Sequence, residues 1–493
     1  MTAAMRVSVA MTEQTEHKLV GHLLRGDGQE DLCLGTYWPS TGTERSTAVL
    51  ADLLLPRPGE RGVHGNATVT GDYVLRAAMT AAREGTGIAL LHSHPNGAGW
   101  QGMSGLDADA ERSYAVLAAQ VTGQPLVGMT LAGDGSWSAR HWDADGSGHA
   151  DAESVRVLGS VLRVSWNDRV RPAPPQQVAQ ERTISAWGPE TQANIARLRI
   201  LVVGGGSVGL DVAVRLAATG VQHVAVMDFD RVKQVNLDRL IGAGRADARL
   251  QRPKTAVALR EMRRAATAAS PDHVTFDWSV CEAQGLITAL DYDVVFSCVD
   301  RPWPRAVLNQ LAYTDLIPVI DGGIAIDAFD DGGMRNATWR AHVLRPGRPC
   351  MDCIGQIHAA EVARDRAGLY DDEGYIRSAG LLATGRQNVA LLSASVSGAL
   401  LAQFVSLAAE VGGRGEQGAL RYWLSTHTLE HCNDTSREHC PVEAATGAGD
   451  SRSVLTSRHP AAEDARASRR LARAVHVRRQ AAAMVTSLWR GTR

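Results

Sequence analysis

LRILVVGGGSVGLDVAVRLAATGVQHVAVMDFD, residues 198–230, carries the strongest fold signal of this 493-residue chain. Gly204, Gly206 and Gly209 lie between a β-branched apolar run and a helical pattern, and the next apolar run ends at Asp228. Such a loop lets backbone amides and a helix N-terminus approach phosphates, and the acidic residue can accept ribose hydroxyls. The stretch therefore predicts a nucleotide site, which taken alone is typical of dinucleotide binding.

Three further apolar runs, HVTFDW, DVVFSCVD and IPVIDGG, follow with helical patterns between them. Five such runs predict an α/β unit with a mostly parallel, doubly wound sheet. Before residue 145, short apolar runs alternate with helical patterns and predict a smaller mixed α/β domain. The proline-rich VRPAPPQQVAQ predicts a linker. The predicted units are a domain at 1–150, a linker at 151–181, a doubly wound domain at 182–445 and an Arg-rich tail at 446–493.

Composition excludes several classes of protein. The length predicts two or three domains, and 44% hydrophobic with 21% charged residues exclude wholesale disorder, collagen-like fibres and coiled coils. The N-terminus lacks the apolar core of a secretion signal and no run reaches the length of a membrane span, so we expect a cytoplasmic protein without a membrane partner. Seven Cys then indicate metal binding or catalysis before disulfides. The basic tail indicates a solvated surface helix more than a nucleic-acid contact.

LHSHPNGAGWQGMSGLDADAE contains a first candidate site. His92 and His94 follow an apolar run and would project from the same face of a strand. Ser104 and Asp107 come after a Gly-rich loop, directly before a helical pattern. Taken alone, each pair has a simpler explanation. Ser104 and Asp107 are typical of a helix capping pair, and His92 and His94 of a chance surface pair. Two His and one Asp would leave the fourth zinc position open, as catalytic zinc sites require.

In this order and spacing the residues resemble the zinc signature of the JAB/MPN metalloprotease family, over about residues 10–145. The resemblance implies that His92, His94 and Asp107 bind catalytic zinc and that Ser104 steadies the tetrahedral intermediate. It also implies an upstream Glu as general base, for which Glu30 fits best. The competitors are Glu13, Glu16, Glu44 and Glu60. Family members hydrolyse the bond after the C-terminal glycine of ubiquitin or ubiquitin-like proteins.

Polar residues downstream of the Gly-rich loop argue against hydride transfer. They are Asn236, Arg239, Lys254, Asp300, Arg305 and Asn309, with Arg182 before the domain. Cationic groups and a magnesium-binding carboxylate suit displacement at an α-phosphorus. This order resembles the ubiquitin-activating-enzyme-like (ThiF-type) adenylyltransferase family, from about Arg182 to Pro441.

That resemblance implies roles for the same positions. Gly204, Gly206 and Gly209 would surround ATP, and Asp228 would bind ribose. Asn236, Arg239 and Lys254 would lie at the phosphates, with Asp300 on Mg²⁺. Arg182 would act in the site of a second subunit, so a homodimer is expected. The implied reaction converts a C-terminal glycine carboxylate and ATP into an acyl-adenylate and pyrophosphate.

Cys350 and Cys353 stand where this family has its first structural zinc pair. The second pair is normally another Cys-x-x-Cys, but here the candidates are Cys432 and Cys440, with His431 or His439 as substitutes. Cys33, Cys281 and Cys298 are predicted core residues. Between Gln356 and His431 the chain has no Cys, which predicts that no covalent thioester forms.

Both candidate sites concern the same chemical group, the C-terminal glycine of a small carrier. The sequence therefore predicts a bifunctional enzyme of a bacterial ubiquitin-like conjugation pathway, serving antiphage defence and passing the activated carrier to a conjugating enzyme. The alternative is processing and adenylation of a sulfur-carrier protein for thiocarboxylate formation. A dehydrogenase with an inert extra domain and a catalytically inactive scaffold are the remaining alternatives.

Overall fold

The structure is a computed structural model that describes residues 5–64, 66–378, 387–432 and 435–468. The strands of its N-terminal half are β1 (Arg6–Thr12), β2 (Leu32–Thr41), β3 (Arg45–Leu54), β4 (Arg61–His64), β5 (Asn66–Val69), β6 (Gly87–His94), β7 (Val127–Ala132), β8 (Trp137–Trp142), β9 (His149–Asp151), β10 (Ser154–Leu158) and β11 (Leu162–Trp166). Its helices are α1 (Glu13–Leu23), α2 (Gly71–Glu84) and α3 (Gly105–Thr122).

Nine of these strands form one mixed sheet in the order β11-β10-β1-β3-β2-β6-β7-β8-β9, and β4 pairs with β5 separately. Apolar residues alternate along the strands and bury two clusters, one containing Leu19 of α1 and the other Tyr73 of α2. The sheet thereby has apolar side chains on both faces, as a sheet covered by helices requires. This half has the mixed α/β composition that the sequence predicts.

The strands of the C-terminal half are β12 (Arg199–Val203), β13 (His223–Met227), β14 (Asp272–Phe276), β15 (Val294–Ser297), β16 (Val319–Ala328), β17 (Met334–Leu344), β18 (Leu420–Trp423) and β19 (Thr428–His431). Its helices are α4 (Glu181–Trp187), α5 (Pro189–Arg197), α6 (Ser207–Ala218), α7 (Arg245–Arg249), α8 (Lys254–Ala265), α9 (Ala283–Ala289), α10 (Pro302–Thr314), α11 (Ala359–Arg366), α12 (Glu373–Ser378), α13 (Ala390–Ala409) and α14 (Pro441–Ala444).

The second sheet has the order β14-β13-β12-β15-β16-β17-β18-β19. Its first five strands are parallel, and the last three extend it antiparallel. Helices α6, α8 and α13 contribute to the core on one face, and α10 to the core on the other. The predicted doubly wound, Rossmann-like α/β fold is confirmed. The prediction was possible because strands buried on both faces need continuous apolar runs such as RILVV.

By length and composition alone, helix α13 could cross a membrane. Part of it is buried inside the protein. Its buried side chains include Val396, Leu400 and Phe404, which belong to the core shared with α6. Ser393 and Ser397 lie on the same buried side and bond to Ser207 and to the carbonyl of Val208 at the start of α6. These contacts make α13 a core helix of the second sheet.

The predicted linker at 151–181 requires a correction. It contains β10 and β11, and β10 pairs in parallel with β1 inside the first sheet. The turn-rich HWDADGSGHADAE closes the β8–β9 hairpin before the chain re-enters that sheet. Within 151–181, residues 167–177 form the longest stretch without a helix or strand. The predicted tail also packs on the body at its start, since the amide of Gly447 donates to Tyr313 O at 3.0 Å, while 469–493 lie outside the described residues.

The two halves share one core and a buried ion cluster. Ala10, Val49 and Trp166 belong to the same apolar cluster as Ile200 of β12. Asp293, just before β15, accepts hydrogen bonds from Arg45 of β3 and, at 2.7 Å, from Arg156 of β10. Burial by itself would raise the pKa of Asp293, but the surrounding arginines hold it far below its usual range. The carboxylate therefore joins both sheets as an ion.

Candidate active sites

The Gly-rich loop between β12 and α6 has a backbone shape that requires glycine. Gly204 has φ +97°, and a Cβ there would lie 2.5 Å from the carbonyl oxygen of Cys298. A Cβ on Gly209 would collide with the oxygen of Gly204. Gly206 precedes the first residue of α6, and a Cβ there would contact nothing within 4 Å. The α6 N-terminus is thus accessible to an anionic group.

Asp228 follows β13 and lies beside this loop. Its carboxylate accepts hydrogen bonds from the amide of Gly205 at 2.7 Å and from the amide of Asp230 at 2.6 Å. Burial raises its pKa, and Lys254 opposes that shift. These bonds fix the carboxylate at the carboxyl end of β13, where a ribose would lie in this fold.

Lys254, the first residue of α8, lies among three carboxylates. Its Nζ is 2.7 Å from Asp230 Oδ2 and 3.9 Å from Asp228 Oδ2, and only 15% of the side chain is exposed. Burial would lower the pKa of Lys254, but Asp228, Asp230 and the exposed Asp300 together raise it. Because Asp300 follows β15, the ammonium of Lys254 also lies near the carboxyl end of that strand. The group is a half-buried cation at the edge of the sheet.

Asn236 and Arg239 form bonds within their own loop. Asn236 Oδ1 accepts from the amide of Lys233 at 2.8 Å, and Arg239 Nη1 donates to Val235 O at 2.6 Å and to Asp238 Oδ1 at 2.8 Å. The structure thus places both side chains in the segment before α7 without a bond to Asp228 or Lys254. Their predicted roles at the phosphates stay predictions.

Arg182 lies on the exposed side of α4. Its carbonyl accepts from Ser185 Oγ at 2.9 Å. Across the described ranges, no hydrogen bond or ion pair of its guanidinium is recorded. Within one chain, therefore, no such contact of the described residues connects the guanidinium of Arg182 to the Gly-rich loop.

The structure adds a buried cluster that the sequence analysis did not weigh. Asp321 on β16 is fully buried and accepts from Ser297 Oγ at 2.7 Å, from Arg305 Nη2 at 2.9 Å and from Arg340 Nη2 at 3.2 Å. Burial alone would raise its pKa, but the two arginines hold it well below the usual range. Gln356 binds the same two guanidiniums, at 3.0 and 2.6 Å. The signal in the sequence was an Asp at the end of the apolar run IPVIDGG.

In the other half of the molecule, the two imidazoles at the end of β6 and the carboxylate of α3 converge. His92 Nε2 lies 3.3 Å from His94 Nε2, and Asp107 Oδ2 lies 3.8 Å from the first and 3.6 Å from the second. The three ligand atoms all lie within 4.8 Å of one another. Two nitrogens and one oxygen at these separations suit a tetrahedral zinc ion with one position left open.

Protonation states support the same assignment. Burial and Arg140 lower the pKa of His92 to about 3, so its imidazole is neutral, as a metal ligand must be. The carboxylate of Asp107, 3.6 Å away, raises the pKa of His94. Burial would raise the pKa of Asp107, but the adjacent His94 and the hydrogen bond from Ser104 hold it below its usual range. The carboxylate of Asp107 is therefore ionised, as a metal ligand must be.

Ser104 and Asp107 form the capping box that was the simpler explanation. Ser104 Oγ accepts from the amide of Asp107 at 3.2 Å, and Asp107 Oδ2 accepts from the amide of Ser104 at 2.9 Å. The same Oδ2 faces both imidazoles. Capping and metal binding are therefore compatible, because the cap fixes the carboxylate that the imidazoles approach.

Glu30 is the candidate base that lies near this triad. Burial raises its pKa, with His94 lowering it and Asp107 raising it. The four competitors belong elsewhere: Glu13 and Glu16 line a separate cavity, Glu60 pairs with Arg76, and the amide of Glu44 donates to Asp291 at the contact between the halves. Gln101, which the sequence analysis passed over, lies 3.4 Å from His94 Nδ1 through its Oε1.

Three of the predicted structural ligands also meet. Cys350, Cys353 and Cys440 form a second group with ligand atoms within 4.8 Å, and the sulfurs of Cys350 and Cys440 are 3.5 Å apart. Three thiols suit structural zinc. Cys432 is a described residue but does not belong to this group. Its amide donates to Ala419 O at 2.8 Å. Cys432 as the fourth ligand stays a prediction.

Comparison with known proteins agrees with this geometry for the larger half. A family model described as the ThiF family matches residues 178–434, slightly more than half of the chain. The mouse protein named adenylyltransferase and sulfurtransferase MOCS3 is 34% identical over 205 residues, which are 37% of this chain and 42% of that protein. The SAMP-activating enzyme E1 of Haloferax volcanii is 28% identical over 167 residues, 34% of this chain and 57% of that enzyme.

Among solved structures, E. coli MccB with MccA-N7isoASN aligns with a TM-score of 0.44 at 15% identity, covering 54% of this chain and 75% of that one. A likeness at this level carries no argument about activity. The chain thus spans about half the length of the curated relatives it matches. The matched range contains the Gly-rich loop, Asp228, Lys254 and Asp300, and on that match the chain belongs to the ThiF family.

Proposed function

We propose that the chain catalyses ATP-dependent adenylation of the C-terminal glycine carboxylate of a ubiquitin-like or sulfur-carrier protein. The observation that carries the proposal is the ammonium of Lys254 among Asp228, Asp230 and Asp300, at the edge of the sheet that also bears the Gly-rich loop. A cation beside a helix N-terminus is what an ATP phosphate chain needs.

The reaction follows from the charges at that edge. An oxygen of the carrier carboxylate attacks the α-phosphorus of ATP, and the bond from that phosphorus to the pyrophosphate oxygen breaks. Lys254 and the amides at the start of α6 would stabilise negative charge on the phosphates. The exposed carboxylate of Asp300 offers the oxygen ligands that Mg²⁺ prefers, and bound Mg²⁺ would neutralise phosphate charge.

The carrier tail would approach from the β16 side. Asp321 is shared by Arg305 and Arg340, so these three groups keep one positive charge in excess. Asp321 pairs with Ser297 in the register of β15 and β16, three residues before Asp300. An excess cation next to the reaction edge would attract an incoming carboxylate.

Sulfur transfer fits better than conjugation as the fate of the adenylate. The sequence lacks Cys between Gln356 and His431, and one relative is named as both adenylyltransferase and sulfurtransferase. We expect mass spectrometry of the carrier, after incubation with ATP, this chain and a sulfur donor, to show sulfur in place of one oxygen. A carrier attached to a conjugating enzyme would support conjugation instead.

The adenylation itself is tested by carrier-dependent exchange of labelled pyrophosphate into ATP. We expect Asp300→Asn to lower the exchange rate by about 100-fold or more. Asp331→Asn, at an exposed turn between β16 and β17, is the matched control and should exchange at the normal rate. Normal exchange by the Asp300→Asn protein would contradict the assignment of the site.

We also propose a homodimer in which Arg182 acts in the site of the second copy, because its guanidinium is exposed on α4. Mixing inactive Arg182→Ala and Asp300→Asn proteins after exchange of subunits should restore part of the activity, since one site of each mixed dimer is intact. Mixtures that remain inactive, although subunits exchange, would place Arg182 outside the partner's site.

A second activity, zinc-dependent cleavage after the carrier's C-terminal glycine, is proposed for the N-terminal half. It rests on the convergence of His92, His94 and Asp107 with Glu30 nearby. Zinc bound by these residues would supply a Lewis acid that polarises the scissile carbonyl. Glu30 would take a proton from the attacking water and deliver it to the leaving amine.

Cleavage is tested with a carrier fused through its terminal glycine to a reporter protein. Glu30→Gln should retain zinc and lose cleavage, because an amide cannot relay the proton. Glu44→Gln, an exposed carboxylate at the far side of the domain, should cleave normally. Undiminished cleavage by the Glu30→Gln protein would remove Glu30 from the mechanism.

A further inference from the structure

The segment 452–468 follows the range matched by the family model, and its residues 455–468 lie on the nucleotide edge of the second sheet. They reach the ends of β13, β14 and β15. After β13, Arg231 Nη2 donates to Ala465 O at 3.2 Å. After β14, Arg466 Nη1 donates to Asp277 O at 3.3 Å. After β15, Trp303 Nε1 donates to Leu455 O at 2.9 Å.

His459 occupies the space between two of these strand ends. Its ring stacks on Trp303 with centroids 5.3 Å apart and planes within 5°, and it packs on Phe229 at 5.0 Å. Phe229 directly follows Asp228, and Trp303 lies three residues after Asp300. The imidazole of His459 therefore contacts two segments: the one that follows Asp228, the proposed ribose ligand, and the one that follows Asp300, the proposed magnesium ligand.

The segment is held in place on both sides of His459. Before it, Arg452 Nη1 donates to Asp315 Oδ1 at 2.7 Å, and the amide of Ser457 donates to Cys281 O at 2.9 Å. After it, Arg466 pairs with Glu282 at 2.8 Å. Residues 460–468 are helical. These contacts make the segment a strap that begins at the end of α10, near the amino end of β16, and then crosses the carboxyl ends of β13, β14 and β15 with residues 455–468.

The position of a nucleotide on this fold brings its base to the strap. Ligands of open α/β sheets lie across the carboxyl ends of the strands, with phosphates at the Gly-rich loop and ribose at the acid that ends the second strand. Here phosphates would lie at α6 and ribose at Asp228, so the base would extend over the ends of β13 and β14. Arg231 and Asp277, which bond to the strap, follow those two ends.

We propose that residues 455–468 of the strap form the base-side wall of the nucleotide site, and that His459 is a positioning residue that holds Asp228 and Asp300 at the separation ATP requires. The ligand class is a purine nucleoside triphosphate, and the partly exposed ring of Phe229, after β13, supplies an apolar surface for its base. The inference rests on the proposed function only in taking ATP as the nucleotide.

The test measures binding of ATP and Mg²⁺ to the full chain by calorimetry, without a carrier. We expect His459→Ala to weaken binding about tenfold, because both ring contacts are lost, and His459→Phe to restore most of the affinity. Arg335→Ala is the matched control, since Arg335 is exposed on β17 and pairs with Asp327 outside the strap, and it should bind normally. Melting temperatures should show that all variants are folded.

Two outcomes separate this inference from the proposed function. If the unaltered chain does not bind ATP, adenylation itself is wrong. If it binds ATP and the His459→Ala protein binds equally well, only the role of the strap is wrong.

Hydrogen exchange on the unaltered protein gives a second measurement that needs no variant. Peptides covering 455–466 should exchange more slowly with ATP present, whereas the β18–β19 hairpin should not change. Equal exchange in the strap with and without ATP would overturn the proposal.

Discussion

The two candidate sites are assembled at different distances along the chain. His92, His94 and Asp107 lie within 16 consecutive residues, and a strand end, a loop and a helix cap bring them together. Asp228, Lys254 and Asp300 are spread over 73 residues and meet because β13 and β15 end, and α8 begins, at one edge of the sheet. The first site therefore depends on local geometry, and the second depends on the topology of the sheet.

The largest expected effect is confined to the local site. His94→Ala removes one of the three proposed zinc ligands, so cleavage of a carrier fusion and zinc retention in the N-terminal half should both be lost. Pyrophosphate exchange should remain normal, because the second site shares no residue with the first. Exchange lost together with cleavage, in a protein with unchanged thermal stability, would show that the two sites are not independent.

The contact between the halves provides the next largest effect. Asp293→Asn leaves Arg45 and Arg156 buried without their carboxylate, so urea unfolding should show a loss of about 3–5 kcal/mol. Asp327→Asn breaks an exposed pair with Arg335 and should change the free energy of unfolding far less, because solvent screens that pair. Equal small losses would mean that the two halves are stabilised independently of this cluster.

Lys254→Ala tests the long-range site. Removing the ammonium among Asp228, Asp230 and Asp300 should lower pyrophosphate exchange by about 100-fold to 1000-fold. Carrier cleavage should be unaffected. Lys18→Ala changes an exposed residue of α1. It is the matched control and should leave exchange unchanged. Normal exchange after Lys254→Ala would locate the phosphate-binding cation elsewhere.

The smallest effect concerns Asp315, which accepts from Ser40 of β2 and from Arg452 of the strap. Burial raises its pKa from 3.8 to about 6 despite these partners. A carboxyl whose folded-state pKa is raised stabilises the fold below its unfolded pKa of about 4, and this contribution is lost as pH rises through about 6.

Unfolding free energies at pH 4, 5, 6 and 7 check this expectation. The stability of the unaltered protein relative to Asp315→Asn should fall across that range, by no more than about 3 kcal/mol at about 1.4 kcal/mol per pKa unit. A constant difference between the two proteins would show that Asp315 is ionised throughout, as the partner of Arg452.

Sequence reasoning performed best where a residue and its partners are neighbours. The apolar runs from Arg199 to Asp321 predicted five parallel strands, because a strand buried on both faces needs an unbroken apolar run. The spacing of His92 and His94 predicted their convergence, because alternate side chains of a strand share a face. Glu30 was one of five candidates, and only the location of the other four away from the imidazoles distinguished it.

It performed worst where partners are distant. The strands β10 and β11 were taken for linker, since the pairing of β10 with β1 joins residues about 145 positions apart. Asp321 needs Arg305, Arg340 and Gln356 to become recognisable, and no spacing rule relates β16 to β17. The strap over the nucleotide edge was indicated only as a basic tail, because composition says nothing of what a segment packs against.

The sequence by itself determined the parallel strands of the second sheet, the Gly-rich loop and the convergence of His92, His94 and Asp107, because each depends on backbone geometry within about 20 residues. The tertiary structure decided which carboxylates face Lys254, that one buried Asp joins the two sheets, and that His459 lies between Phe229 and Trp303. Those contacts depend on the order of strands in a sheet and on the packing of distant segments, and local propensity carries no information about either.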